Sequence, residues 1–116
     1  MSHYKIAVLG PTVRDHITTY KNDTIEKFGW VNNPCIALAN LIYTNSTIIP
    51  VTHIRQRDEL SIKEILQPYS NIDVQHINAE LDHGDVIRLR FLNQNKRSEK
   101  MSGFMNPITP HNVKNL

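Results

Sequence analysis

Residues 4–15 read Tyr4-Lys5-Ile6-Ala7-Val8-Leu9-Gly10-Pro11-Thr12-Val13-Arg14-Asp15. The first six are β-forming and mostly apolar, and Gly10-Pro11 stops them, which predicts a buried strand leaving the core into a turn. His16 to Tyr20 and Thr24 to Phe28 are β-prone on either side of a turn-like Lys21-Asn22-Asp23. They predict a hairpin over about residues 16–28, standing on the end of that strand. Asn33 before Pro34 has the pattern of a helix start, because asparagine can accept from free first-turn amides while proline has no amide to lose there. The run Cys35 to Ile42 is apolar on most of its circumference, which predicts a buried helix.

Further along, Thr47 to Ile54 is β-branched and strand-like, and Pro50 removes one ladder donor, which predicts an edge position or a bulge. Asp58 is placed to cap a second helix, in which Ile62, Ile65, Leu66 and Tyr69 fall on one face and Pro68 marks the end. Asp73 to Ile77 reads as a short strand. His83-Gly84-Asp85 turns into Val86 to Phe91, with Ile87, Leu89 and Phe91 on one face and Arg88 and Arg90 on the other. Asn93 to Lys96 turns that strand back into Arg97 to Met101, a second hairpin over about residues 84–101. Thr109-Pro110 announces a last helix.

Strands and helices in alternation predict an α/β fold, a mainly parallel sheet flanked by helices, with β-hairpins added. About three core strands are available where an average sheet has roughly five or six. The expectation is a single incomplete domain, residues 1–116, the first part of a larger α/β protein. No internal repeat or low-complexity segment competes with that reading.

The 116 residues carry 13 Lys and Arg against 11 Asp and Glu, a net charge of +2, and are 40% apolar. That charge is too small to gather nucleic acid or an anionic membrane surface, so neither is an expected partner. The chain has one cysteine, which excludes an internal disulfide framework, and there is no Cys/His spacing for structural zinc. Nor do the six histidines include a helical i, i+4 pair with a third ligand, so no metal site is expected. Without a signal-peptide layout or a membrane-length apolar run, the chain is expected in the cytoplasm. Gly10-Pro11-Thr12 is neither a Walker loop nor a dinucleotide fingerprint, and nothing in the sequence cradles phosphate.

Four stretches in order resemble the N-terminal part of the PfkB-type, ribokinase-like carbohydrate and nucleoside kinases. They are Gly10 to Asp15 after the first strand, Phe28-Gly29-Trp30 with Asn33 and the following helix, Arg57-Asp58-Glu59, and the Gly84-Asp85 hairpin. The resemblance covers nearly all of this chain and about the first third of the family. It implies an enzyme class that phosphorylates a hydroxymethyl group of a sugar, nucleoside or related polyol with ATP and a divalent metal, closing a small β lid over the substrate. Residue by residue, it implies that Asp15 grips sugar hydroxyls, that Gly29 is the first glycine of a Gly-Gly pair beneath the sugar, and that Asn33 opens the next helix at the site. Trp30 departs from the pattern by standing where the second glycine belongs, so that it either stacks on an unusual substrate or blocks the pocket. The family's Gly-Ala-Gly-Asp-like motif, which supplies the anion hole and the catalytic base, does not occur here, and neither does the nucleotide site.

Each of these residues also has a plainer reading. An Asp after a strand is commonly a turn or cap residue, Asn33 is compatible with a simple N-cap, and Arg57-Asp58 fits a solvated loop and helix cap as well as a contact at the lid or the sugar's rim. Arg88 and Arg90 mark either the wet face of a lid or a site for an anionic substrate group. Cys35, inside an apolar helix, reads as a buried small hydrophobe, and Lys96 to Lys100 as a solvated hairpin tip.

The leading expectation is therefore a substrate-binding and lid part with no catalytic residue and no cofactor of its own, inactive alone. ATP and Mg²⁺ are implied only for a complete family member. The expected partners are a polyol and either a missing C-terminal part or a second copy. The competing expectation is a non-catalytic interaction module that self-associates through its sheet edge or hairpins.

Overall fold

The apolar run at the start of the chain forms β1 (Tyr4–Leu9), and its six residues pair in parallel with the first half of β4 (Ser46–Arg55) from Tyr4↔Ser46 to Leu9↔Val51. The computed structural model describes residues 3–42, 45–104, 107–114 and 116. β5 (Ile77–Leu81) joins the other side of β4 in parallel, giving a three-stranded sheet in the order β1-β4-β5. Between β1 and β4 come β2 (Thr12–Thr18), β3 (Thr24–Trp30) and helix α1 (Asn32–Leu41). After β4 a 3-10 turn, Gln56–Asp58, leads into α2 (Glu59–Leu66). The chain continues through β5, β6 (Asp85–Phe91) and β7 (Arg97–Ser102) to a single turn of helix, α3 (Pro110–Val113).

The expected α/β class is the observed one. Cys35 and Ala39 of α1 pack on Ile48, with Ile6 and Val8 of β1 beside them, and Ile62 and Leu66 of α2 pack on Ile54 and Ile77. These apolar contacts between helix faces and strands are the main stabilising term of this part.

β1 differs from expectation. Lys5, Ala7 and Leu9 are exposed while Ile6 and Val8 are half-buried, because β1 is an edge strand with α1 on one face only. Helix α1 is likewise half-exposed rather than buried. Leu41 is 77% exposed, since only the Cys35–Ala39 face meets a sheet.

Pro50 sits in the central strand, not at an edge. Ile48 donates its amide to the Asn71 carbonyl at 2.8 Å, and the position two residues on faces the same way. The β4–β5 ladder is only an isolated bridge at Ile48↔Ile72 before it resumes at Thr52↔Ile77. The missing proline donor falls in that gap, so no ladder bond is lost.

The strand expected at Asp73 to Ile77 is displaced to Ile77–Leu81. The Asp73 carboxylate accepts from the Gln75 amide at 2.9 Å, and that local turn competes with extended pairing.

Two antiparallel hairpins, β2–β3 and β6–β7, form where the sequence predicts them, the first beginning at Thr12 rather than His16. In the second turn the Asn93 side chain accepts from the Asn95 and Lys96 amides at 2.8 and 2.9 Å. The hairpins do not stand apart. β2 pairs in parallel with β6 from Val13↔Asp85 to Thr18↔Arg90, making one four-stranded sheet in the order β3-β2-β6-β7. Buried Thr12 and Thr52 share a hydroxyl–hydroxyl hydrogen bond of 2.9 Å that ties this sheet to β4.

Candidate functional site

Strand alternation assigns the site residues to faces. Val13, Asp15 and Ile17 of β2 share a face with their register partners Gly29, Lys27 and Ile25 of β3, and with Asp85, Ile87 and Leu89 of β6. Arg14 and His16 point the other way, beside Phe28 and Glu26, with Val86 and Arg88 across from them.

On the first face Asp15, Gly29 and Asn33 converge. A Cβ built on Gly29 would lie 3.5 Å from Asn33 Nδ2 and 3.8 Å from Asp15 Oδ2. The glycine is thus a floor with a carboxylate and an amide at its rim. Neither the Asp15 nor the Asn33 side chain makes a hydrogen bond or ion pair among the described residues, so both keep their capacity for a ligand. A carboxylate accepts from two neighbouring hydroxyls at once, and an amide both donates and accepts.

Asn33 reaches this place from the first turn of α1, not as its cap. The helix starts at Asn32, and Val31 holds the cap position without a side-chain bond. Val31 is fixed because its amide donates to the Pro11 carbonyl at 3.2 Å and its own carbonyl accepts from Cys35 at 3.2 Å. Pro34 loses nothing, since first-turn amides have no intrahelical acceptor. Next to Asn33, Asn32 is 1% exposed and its side-chain Nδ2 and Oδ1 have no hydrogen-bond partner among the described residues. Sequence reasoning passed over Asn32, because its neighbour carried the cap-then-proline pattern.

The same face leads towards the C-terminal end of β1, where a cavity of about 310 Å³ is lined by Leu9, Gly10, Pro11, Asp85 and Ile108 among others. Asp85 is buried there and accepts from the Phe104 amide at 2.5 Å. A groove at the carboxyl ends of parallel strands is the usual ligand position in open α/β sheets.

The remaining candidates are elsewhere. Asp58 occupies the cap position of α2, but its carboxylate is taken by Arg55, whose Nε and Nη2 donate to it at 2.7 and 2.8 Å. That hydrogen-bonded pair holds the Arg55 guanidinium above its ordinary pKa. Arg57 is exposed in a small recess with Leu81 and Asp82. Arg88 and Arg90 lie on the face opposite Asp15, and Arg90 donates to the Asn22 side chain at 3.3 Å. The backbone of Trp30 pairs with Thr12. Its side chain, on which stacking or blocking depends, lies outside the described residues.

On that opposite face the His16 hydrogen bond, 3.0 Å to Glu26, holds the Glu26 carboxyl below its ordinary value, with nearby Arg14 adding to the effect. Burial pushes the Cys35 thiol up to about 11, which suits a packing residue and not a nucleophile.

No family model and no curated protein matches the sequence. Solved structures do. The chain superposes on fructokinase from Vibrio cholerae O395 in apo form with a TM-score of 0.65 and 16% identity, covering 89% of this chain and 35% of that one. Aminoimidazole riboside kinase from Salmonella enterica gives 0.66 and 15%, covering 94% and 35%. Ribokinase from Cryptococcus neoformans var. grubii serotype A in complex with ADP gives 0.69 and 11%, covering 88% and 34%.

The fold is ribokinase-like.

The chain spans 34–35% of the length of these three kinases. The Cryptococcus neoformans ribokinase is a complex with ADP. No group of three or more His, Cys, Asp or Glu is placed to hold a metal ion among the described residues. Pro11 removes an amide from the turn after β1, where a phosphate would need donors. Nor is any helix of the described residues long and apolar enough to cross a membrane.

Proposed function

We propose that this ribokinase-like stretch is the sugar-binding and lid part of an ATP-dependent carbohydrate or nucleoside kinase, acting in the cytoplasm. The observation that carries the reading is the convergence of Asp15 and Asn33 on the bare Cα of Gly29. Three chemically matched groups from β2, β3 and α1 offer two carboxylate acceptors, an amide and a surface without a side chain to one small polyhydroxylated molecule. Ile17, Ile87 and Leu89 share the Asp15 face, so the sheet presents apolar surface around the polar centre. A lid that excludes water from a sugar needs that combination.

In this reading the chain binds and orients a polyol and transfers nothing by itself. Phosphoryl transfer requires a base or orienting carboxylate and preorganised donors for the phosphates at one place, and among the described residues Asp15 lies on the face of the sheet opposite Arg14 and Arg88. Two measurements on the full 116-residue chain test the proposal. Calorimetric titration with a panel of sugars and nucleosides is expected to give saturable binding to at least one, weakened at least tenfold in Asp15→Ala. Incubation with labelled ATP, Mg²⁺ and the same panel is expected to leave the label on nucleotide. Failure of every polyol to bind, or binding unchanged in Asp15→Ala, refutes the assignment.

One observation favours the second reading, a self-associating module. Ile25 and Met101 on the Asp15 face are 46% and 58% exposed, and β1 and β5 are sheet edges. Sedimentation separates the two, because a monomer at micromolar concentration excludes self-association, while a dimer insensitive to Asp15→Ala supports it.

A further inference from the structure

The face of the four-stranded sheet that points away from Asp15 ends in a cavity of about 250 Å³ lined by Arg14, Arg55, His83, Gly84, Arg88 and Gly103, among others. Three separate strands, β2, β4 and β6, each deliver one guanidinium to it. Their charges are incompletely answered. Asp58 engages Arg55 through both oxygens at 2.7 and 2.8 Å. Glu26 lies 3.6 Å from Arg14 and is shared with His16 at 3.0 Å. The Arg88 side chain makes no hydrogen bond or ion pair among the described residues. Two carboxylates therefore face three guanidiniums, before His83 is considered.

Water reaches only part of the cluster, at Arg88, which is exposed. The Arg14 and Arg55 side chains are only 15% and 11% exposed, and like charges this poorly solvated repel strongly. Burial, followed by the neighbouring Arg55 charge, lowers the Arg14 guanidinium from its ordinary pKa. Such a cluster is relieved by an anion, and the planar donor forks of arginine match the oxygens of phosphate and carboxylate. The mouth is kept free of side chains. Gly103 has φ +91°, and a Cβ there would come within 2.8 Å of the Gly84 carbonyl.

We propose that this cavity binds a phosphate-class oxyanion, at a place distinct from the Asp15–Gly29–Asn33 centre. A phosphate fits better than a single carboxylate, because its oxygens can take forks from Arg14 and Arg88 together. No Phe, Tyr or Trp lines the cavity, and the ligand proposed is free phosphate or the phosphate of a small ester.

The test is an amide-resolved NMR titration of the full chain with inorganic phosphate, at ionic strength held constant with chloride. Saturable shifts are expected at Gly84 and Gly103, with Gly29 and Asn33 unmoved. Arg88→Gln, an exposed substitution whose spectrum also reports folding, is expected to weaken binding at least tenfold. Asp15→Ala is expected to leave it unchanged, which keeps this result separate from the fate of the polyol reading. Tighter binding of ribose 5-phosphate than of phosphate assigns the site to an ester, and equal binding assigns it to the free anion. Shifts that do not saturate, that chloride alone reproduces, that persist in Arg88→Gln, or that centre on Gly29 overturn the proposal.

Discussion

Gly29 separates stability from binding more cleanly than any other position. A methyl group there would sit at ordinary van der Waals distance, 3.5 Å, from Asn33 Nδ2, so Gly29→Ala is expected to fold with stability within about 0.5 kcal/mol of the parent. The same methyl fills the floor on which the proposed polyol rests, and affinity is expected to drop at least tenfold by calorimetry. A contrast of the opposite kind holds for two ion pairs. Arg55 and Asp58 are each 11% exposed and joined by two short hydrogen bonds. Asp58→Ala strands a poorly solvated guanidinium, and urea denaturation should show a loss of about 2–3 kcal/mol. Lys63 and Glu59 are 3.3 Å apart on the surface of α2, and Lys63→Ala should change stability by less than about 0.5 kcal/mol. Equal effects would contradict the burial difference on which the comparison rests.

Among the elements, the cross-strand cluster of β2 and β3 sets a pH dependence. Glu26 has its folded pKa depressed, first by the His16 hydrogen bond and then by Arg14. A depressed carboxyl stabilises the fold above its unfolded value and loses that contribution as pH falls through the folded value. Stability should therefore decline from the ordinary carboxyl value of 4.5 downward, and Glu26→Gln should flatten part of that acid limb in chemical denaturation. The effect is small, because the side chain is 43% exposed and solvent screens it. The join between β6 and the end of β7 is stiffer. Gly103 has a positive φ, and an added Cβ would also meet the Asp85 Cα at 3.0 Å. Gly103→Ala is expected to cost about 2 kcal/mol, measured as a lowered melting temperature.

Viewed whole, the chain measures 54 × 29 × 21 Å with a radius of gyration of 15.8 Å, against about 13 Å for a compact domain of this length. The elongation follows from two sheets joined chiefly through β2 and β4, with apolar side chains left at the surface on Leu9, Ile25, Leu41 and Met101. Stability must then be unevenly distributed. β4 is central in its sheet and carries a nearly continuous buried run from Ile48 to Thr52, whereas every residue of β7 is exposed. Hydrogen exchange is expected to be slowest in β4 and fastest in β7 and the tip of β3, and uniform protection would contradict this picture.

Local chemistry was enough to place most elements. Gly10-Pro11 ends β1, Asn93 closes the second turn, Thr109-Pro110 starts α3, and the two-residue period of β6 puts Arg88 and Arg90 opposite Ile87 and Leu89, because each of these depends on neighbours within a few positions. The role of Asp15, Gly29 and Asn33 was suggested by family resemblance. Their meeting at one point required β2 pairing with β3 and α1 docking behind them. What no local pattern encodes is the partner across space. The parallel β2–β6 pair, the gap that accommodates Pro50 in a central strand, the Arg55 fork that takes Asp58 away from its helix, and the gathering of Arg14, Arg55 and Arg88 all join residues distant in the chain or choose between competing partners. Those choices are made by burial and charge summed over the folded molecule, and they become visible only once the chain has closed on itself.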